Sequence, residues 1–207
     1  MKTIFMKRGF WFSVLTAATL AVVIAAARLP RMGSKDLPVY GTIPDFQLTE
    51  KDGSIVGLKD LKGKIWVADF IFTRCSGVCP MMSSHMKLLQ NEFKNRTDIA
   101  LVSFSVEPEH DNPAALKEYA RRFSADSKQW LFLTGDKTKL HELSQQHFHL
   151  GVSDIPAAER TAPDQTVEHS SKFVLVDTTG RIRGYYSSEE PDFQSQLLHD
   201  IRRLKES

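Results

Sequence analysis

The chain holds only two cysteines, Cys75 and Cys79, four positions apart in "DFIFTRCSGVCP" (residues 69–80). As a structural staple they would close a very small loop and remove little chain entropy from the unfolded state. Their value is therefore chemical. Redox dithiols of the thioredoxin type are spaced three apart, where the pair closes a reactive disulfide on the first helical turn. At i and i+4, two sulfurs project from one side of a turn and can chelate one ion. Cys75 is predicted to follow a buried strand and Cys79 to open a helix. The helix N-terminus and the neighbouring Arg74 should then both favour thiolate. Lowered thiol pKa values serve metal binding and disulfide exchange alike.

Two thiolates leave a metal ion short of ligands, so a third donor is expected among the seven histidines. A histidine taken alone is more often a surface or core-filling residue than a ligand. His85 lies about 240° around the predicted helix from Cys79 and points elsewhere. His147 and His149 are i, i+2 and cannot share a helix face with each other. His199 sits on a terminal amphipathic helix. His169 differs, because it ends a long polar stretch just before "SSKFVLV", from where it can reach the cysteine turn. Two sulfurs and one imidazole form a soft set that suits copper, as Cu(I) or Cu(II), while zinc usually takes a fourth ligand. Met81 and Met82 offer thioethers, although packing in the first helical turn is the commoner use of methionine. Glu168 offers a partner to orient His169, although an exposed loop carboxylate is the commoner case.

The elements that must position these residues follow from the pattern. "IPDFQLTEKDGSIVGLKDLKGK" alternates short apolar stretches around Asp52-Gly53, as a hairpin does. "IWVADFIF" and "IALVSFSV" are nearly continuous apolar runs that suit strands covered on both faces. Met82, Met86, Leu89 and Phe93 recur at helical spacing and predict a helix to about Asn95. Pro113 opens a second helix, "WLFLTG" reads as a short strand, and "KTKLHELSQQHF" as a helix. Residues 151–168 read as a long polar loop. "KFVLVD", "TTG" and "RIRGYY" form a closing hairpin, followed by a terminal helix. Strands alternating with helices give an α/β, thioredoxin-like central sheet flanked by helices, with an N-terminal hairpin.

The N-terminus is of a different kind. Lys2, Lys7 and Arg8 precede about 19 uncharged residues, Gly9 to Ala27, enough to cross a bilayer core. This predicts a membrane anchor over residues 1–28, a linker over 29–41 and the folded domain over 42–207. The domain is expected on the non-cytoplasmic side. A cleaved secretory signal, ending near Ala25-Ala26-Ala27, is the alternative. Without the four basic residues of the first 28, 23 basic side chains remain against 25 acidic ones, which is no nucleic-acid footprint.

The segments "DFIFTRCSGVCP", "SVEPEHDNPAALKEYA", "WLFLTG" and "HSSKFVLVDTTGRI" resemble, in colinear order over residues 41–202, the Sco/SenC copper-protein family. The resemblance implies a thioredoxin-like fold tethered to a membrane and a role in assembling the copper centre of cytochrome c oxidase. It also implies copper held by Cys75, Cys79 and the histidine matching His169. Many members carry Pro-Asp where this chain has Ser76-Gly77, and Asp-Pro where it has Glu107-Pro108. Two activities fit the dithiol: copper delivery to the oxidase copper subunit or another acceptor, and thiol–disulfide exchange that reduces that subunit's cysteines. The histidine favours copper, since exchange needs only the sulfurs. A peroxidase of peroxiredoxin type would share the fold but would carry Thr-x-x-Cys, where this chain has Thr73-Arg74-Cys75.

Overall fold

The computed structural model describes residues 36–126, 128–160 and 166–206. Strands β1 (Gly41–Thr42), β2 (Gln47–Glu50) and β3 (Ile55–Gly57) are followed by a single helical turn, α1 (Leu58–Leu61). Next come β4 (Ile65–Ile71), helix α2 (Val78–Glu92), β5 (Ile99–Ser105), α3 (Pro113–Arg122), β6 (Trp130–Thr134) and α4 (Lys137–Glu142). The chain closes with β7 (Val152–Asp154), β8 (Val167–His169), β9 (Lys172–Val176), β10 (Arg181–Ser187) and helix α5 (Phe193–Glu206). Eight strands form one sheet in the order β1-β10-β9-β4-β5-β6-β2-β3. The central trio β4, β5 and β6 is parallel, while β9 and β2 run antiparallel to its two sides. The thioredoxin-like expectation is met.

Every residue of β4 and of β5 is buried, as their unbroken apolar runs require. Phe70, Phe104 and Phe148 meet at the centre, with ring centroids 5.1–5.5 Å apart. Helix α2 lays Cys79, Met82, Met86 and Leu89 against the sheet, the stripe its periodicity predicts. It stops at Glu92 rather than Asn95, because Asn95 takes a left-handed conformation with φ 68° that no α-helix continues through. Helix α3 begins as expected, its Asn112 cap accepting from Ala115 N. Helix α4 widens into a π turn over Leu143–His147, ahead of a left-handed His149.

Two expectations are corrected. Residues 151–168 are not simply a loop. The segment folds back on itself as an antiparallel ribbon, pairing Val152 with His169, Ser153 with Glu168 and Asp154 with Val167. Val152 and Val167 are its buried anchors, too few apolar positions to raise a strand signal. The linker also ends earlier than residue 41: Leu37 is buried, and Arg183 donates to the carbonyls of Leu37 and Pro38. Arg183 also pairs with Asp177 at 2.8 Å, both side chains being 6% exposed. The sheet therefore holds the incoming chain through a buried ion pair. Among the described residues no helix is long and apolar enough to cross a membrane. The expected anchor, residues 1–28, lies outside them.

Burial opposes ionisation of Asp177, but hydrogen bonds from Thr179, Arg183 and the Arg181 and Thr179 backbones prevail and hold its pKa at about 2, against an ordinary 3.8. A depressed carboxylate stabilises the fold above its unfolded value, and that contribution is lost as pH falls through the folded one. Asp177→Asn should therefore destabilise the domain at pH 7 by about 3 kcal/mol, since it strips a buried arginine of its counter-charge. The gap from wild type should shrink between pH 4 and pH 2. Urea unfolding of both proteins across that range checks this.

Candidate metal centre

Strand β4 delivers the chain to a tight turn. Cys75 N donates to the Phe72 carbonyl at 3.3 Å, and helix α2 begins two residues after Ser76. Pro80 occupies the third position of the helix, where its missing N–H costs nothing. Two carboxylates from the loop after β5 hold this turn. Asp111 accepts from Thr73 N (3.1 Å), Thr73 Oγ1 (2.5 Å) and Ser105 Oγ (2.7 Å). Glu107, 4% exposed, accepts from Arg74 Nε at 3.0 Å and Nη2 at 2.6 Å.

Cys75 is half-buried, Cys79 is fully buried, and both are free thiols. His169 reaches them from the end of β8, with Nε2 3.1 Å from Cys79 Sγ. Its Nδ1 lies 3.1 Å from the Ser170 carbonyl. A carbonyl only accepts, so Nδ1 carries the proton and Nε2 is the nitrogen turned to the sulfurs. Phe72 stands edge-on to the imidazole at 5.5 Å and fixes its plane. One donor atom from each of Cys75, Cys79 and His169 lies within 4.8 Å of the other two. Metal–sulfur and metal–nitrogen bonds of about 2.3 and 2.0 Å set three ligands around one ion roughly 3.5–4 Å apart, a separation that small side-chain rotations reach from here. The three residues therefore fit a single soft ion.

The two thiols are unlike. Cys75 is lowered from 9.0 to about 4, chiefly by the Cys79 side chain, with burial opposing and His169 and the Cys79 and Gly77 backbones assisting. Cys79 is pushed upward by its own burial and then by Cys75. The helix start thus contributes as expected, through its N–H groups, while Arg74 makes a bidentate ion pair with Glu107. Asp69, fully buried in β4, is raised to about 7 by desolvation, with His169 pulling the other way. That acid, inside an otherwise apolar "WVADFIF", was the visible but unused signal for a polar group beneath the site.

The other candidates fall away. Met82 is buried in the core and Met81 is 39% exposed. Glu168 faces solvent, the commoner case for a carboxylate there, and His169 Nδ1 goes to the Ser170 carbonyl. His85 packs on Phe193 at 4.8 Å, and His141 Nε2 meets the Val106 carbonyl. A cavity of about 620 Å³ beside Phe46, Leu58, Lys139 and His147 contains none of the three donors.

The SCO1/SenC family profile matches residues 36–206. The chain belongs to the SCO1/SenC family. A SCO1/SenC family lipoprotein from Bacillus anthracis is 35% identical and superposes with a TM-score of 0.72 over 81% of this chain and 97% of its own. BsSco, a member of the Sco family of cytochrome c oxidase assembly proteins in which a disulfide switch has been identified, is 31% identical. Its TM-score is 0.68 over 82% of this chain and 97% of its own. Bradyrhizobium japonicum ScoI, solved with copper bound, is 25% identical, with a TM-score of 0.62 over 79% of this chain and 99% of its own.

Because the Cys79 thiol is the main cause of the Cys75 depression, removing it should raise the pKa of Cys75. In the reduced, metal-free protein, alkylation by iodoacetamide should stay fast down to about pH 4. In Cys79→Ala the inflection should move upward toward the ordinary thiol range. Rate–pH profiles of the two proteins check this.

Proposed function

We propose that this protein binds copper through Cys75 Sγ, Cys79 Sγ and His169 Nε2 and delivers it to the copper site of cytochrome c oxidase. The observation that carries the reading is the convergence of these three donors within 4.8 Å of one another, from segments 90 residues apart in sequence. Sulfur and imidazole donors in a low-coordinate set favour Cu(I) and tolerate Cu(II). Loading requires Cys79 to lose its proton, so copper binding should release protons near neutral pH. Cys75 is the less buried member, and its sulfur is the donor an incoming acceptor ligand would meet first. A buried Cys79 keeps hold of the ion while that exchange proceeds.

The N-terminal run Gly9 to Ala27 is proposed to tether the domain on the non-cytoplasmic side of a membrane. The lipoprotein relative supports membrane attachment in the family. Residues 1–35 of this chain contain no cysteine for a lipid thioether, so the apolar run itself would serve.

A second reading is favoured by the thiol asymmetry. Cys75 thiolate could attack a partner's disulfide, forming a mixed disulfide and releasing one partner thiolate. Cys79, giving its proton to His169 Nε2, would then attack Cys75 Sγ and release the partner's second thiolate. The partner is reduced and a Cys75–Cys79 disulfide is left, to be reset by an external dithiol. The disulfide switch of BsSco supports this capacity in a relative.

An anaerobic Cu(I) titration of the full-length protein against a competing chelator decides between them. One equivalent should bind tightly, either cysteine-to-serine variant should abolish that binding, and His169→Ala should weaken it by about tenfold or more. Affinity unchanged by His169→Ala would remove the histidine from the site. No tight binding at all would leave disulfide exchange as the function.

A further inference from the structure

The two halves of the candidate site belong to parts of the fold that share no strand pairing. The cysteines sit where β4 meets α2, within the main sheet's framework. His169 sits on the β7–β8 ribbon, which forms a two-stranded sheet of its own. Strand β7 is held from its own side, by Lys137 to Asp154 at 2.8 Å and by Gln145 Nε2 to the Val152 carbonyl at 2.6 Å. The tie on the β8 side is Glu107. One of its oxygens, Oε1, accepts both Arg74 Nη2 at 2.6 Å and Thr166 Oγ1 at 2.5 Å, while Oε2 accepts Arg74 Nε at 3.0 Å. Arg74 is covalently next to Cys75, and Thr166 is three residues before His169.

The loop carrying Glu107 is itself rigid. Glu107 N donates to Ser105 Oγ, and the Glu107 carbonyl accepts from the backbones of His110 and Asp111. Asp111, in the same loop, accepts from Thr73 of the cysteine turn. Both carboxylates grip the cysteine turn, but of the two only Glu107 is also hydrogen-bonded to the ribbon. Its arginine partner forms a bidentate, charge-assisted pair with defined direction. The carboxylate is 4% exposed, so its hydrogen bonds are poorly replaced by water.

We propose that Glu107 is a positioning residue for the copper site: it clamps the cysteine turn to the histidine ribbon and so sets the distance between His169 Nε2 and the two sulfurs. This rests on the three-ligand reading above. Glu107 is not one of the three donors. It acts through Arg74 on one side and Thr166 on the other.

A double-mutant cycle in the full-length protein tests this, using Cu(I) affinity against a competing chelator. Glu107→Ala should weaken copper about tenfold in the wild-type background and not at all in His169→Ala, because a clamp for the histidine is useless without it. Cu(II) spectra should agree: the thiolate-to-copper absorption persists in Glu107→Ala, while the nitrogen coupling in the electron paramagnetic resonance signal weakens or broadens. Should Glu107→Ala fold poorly, Thr166→Val breaks only the ribbon end and should weaken copper about threefold or more, whereas Thr166→Ser, keeping the hydroxyl, should bind as wild type. Equal losses from Glu107→Ala in both backgrounds, or no loss in the wild type, overturn the clamp and leave the ligands standing. No effect of His169→Ala overturns the ligand assignment and the clamp with it.

Discussion

The contact between Cys79 Sγ and His169 Nε2, 3.1 Å long, joins residues 90 positions apart, and the rest of the site is arranged around it. One end is immovable. Strand β4 is buried on both faces and runs parallel to β5, so the chain must leave the sheet at Ile71 and cross over through a helix. Cys79 falls on the inward stripe of that helix with Met82, Met86 and Leu89. Moving it would unpack the core. The other end is less constrained, since the ribbon carrying His169 pairs with no strand of the main sheet. A fixed sulfur and a separately held imidazole make a site whose closure depends on how the ribbon is fastened.

Burial explains why two cysteines in one turn behave so differently. Cys79 is desolvated and disfavours its thiolate, while Cys75 reaches solvent and receives hydrogen bonds at the helix start. One proton is in effect shared by the pair, retained on the inner sulfur. The outer sulfur is then ready as a nucleophile or as a first ligand. The inner one commits only when a stronger electrophile, a metal ion or a mixed disulfide, displaces its proton. Copper delivery and disulfide exchange thus draw on the same asymmetry and on the same histidine, as a ligand in one and as a proton acceptor in the other.

Charge is used inside this fold as fastening. The Glu50–Lys51 pair is nearly buried at the tip of the first hairpin, and Glu50 also accepts from Phe132 N on the neighbouring strand. Asp177 and Arg183 hold the start of the domain, and Glu107 and Asp111 hold the cysteine turn. In each case a carboxylate at or beyond a strand end accepts from backbone, hydroxyl or cationic donors of a neighbouring segment. Such groups resist removal, because the partner left behind would be buried and unpaired.

The strands β4, β5 and β9, the helix stripe of α2 and the cysteine turn were legible in the sequence. Each rests on a local pattern: an apolar run, a 3.6-residue period, a proline in the first turn of a helix. Cys75 and Cys79 belong to that class, lying on either side of the start of a helix whose position the apolar pattern sets. The ribbon was not legible, since Val152 and Val167, its buried valines among the described residues, are fifteen positions apart and carry no periodicity. Nor were the partners of Arg74 and Glu107, 33 positions apart, or the Ser170 carbonyl in place of Glu168 as the partner of His169. His169 was singled out by its place before a strand and by family resemblance. Its approach to the sulfurs was decided by tertiary structure alone, because the distance between a turn on one strand and a ribbon beyond another depends on sheet order and long-range hydrogen bonds, which no local pattern encodes.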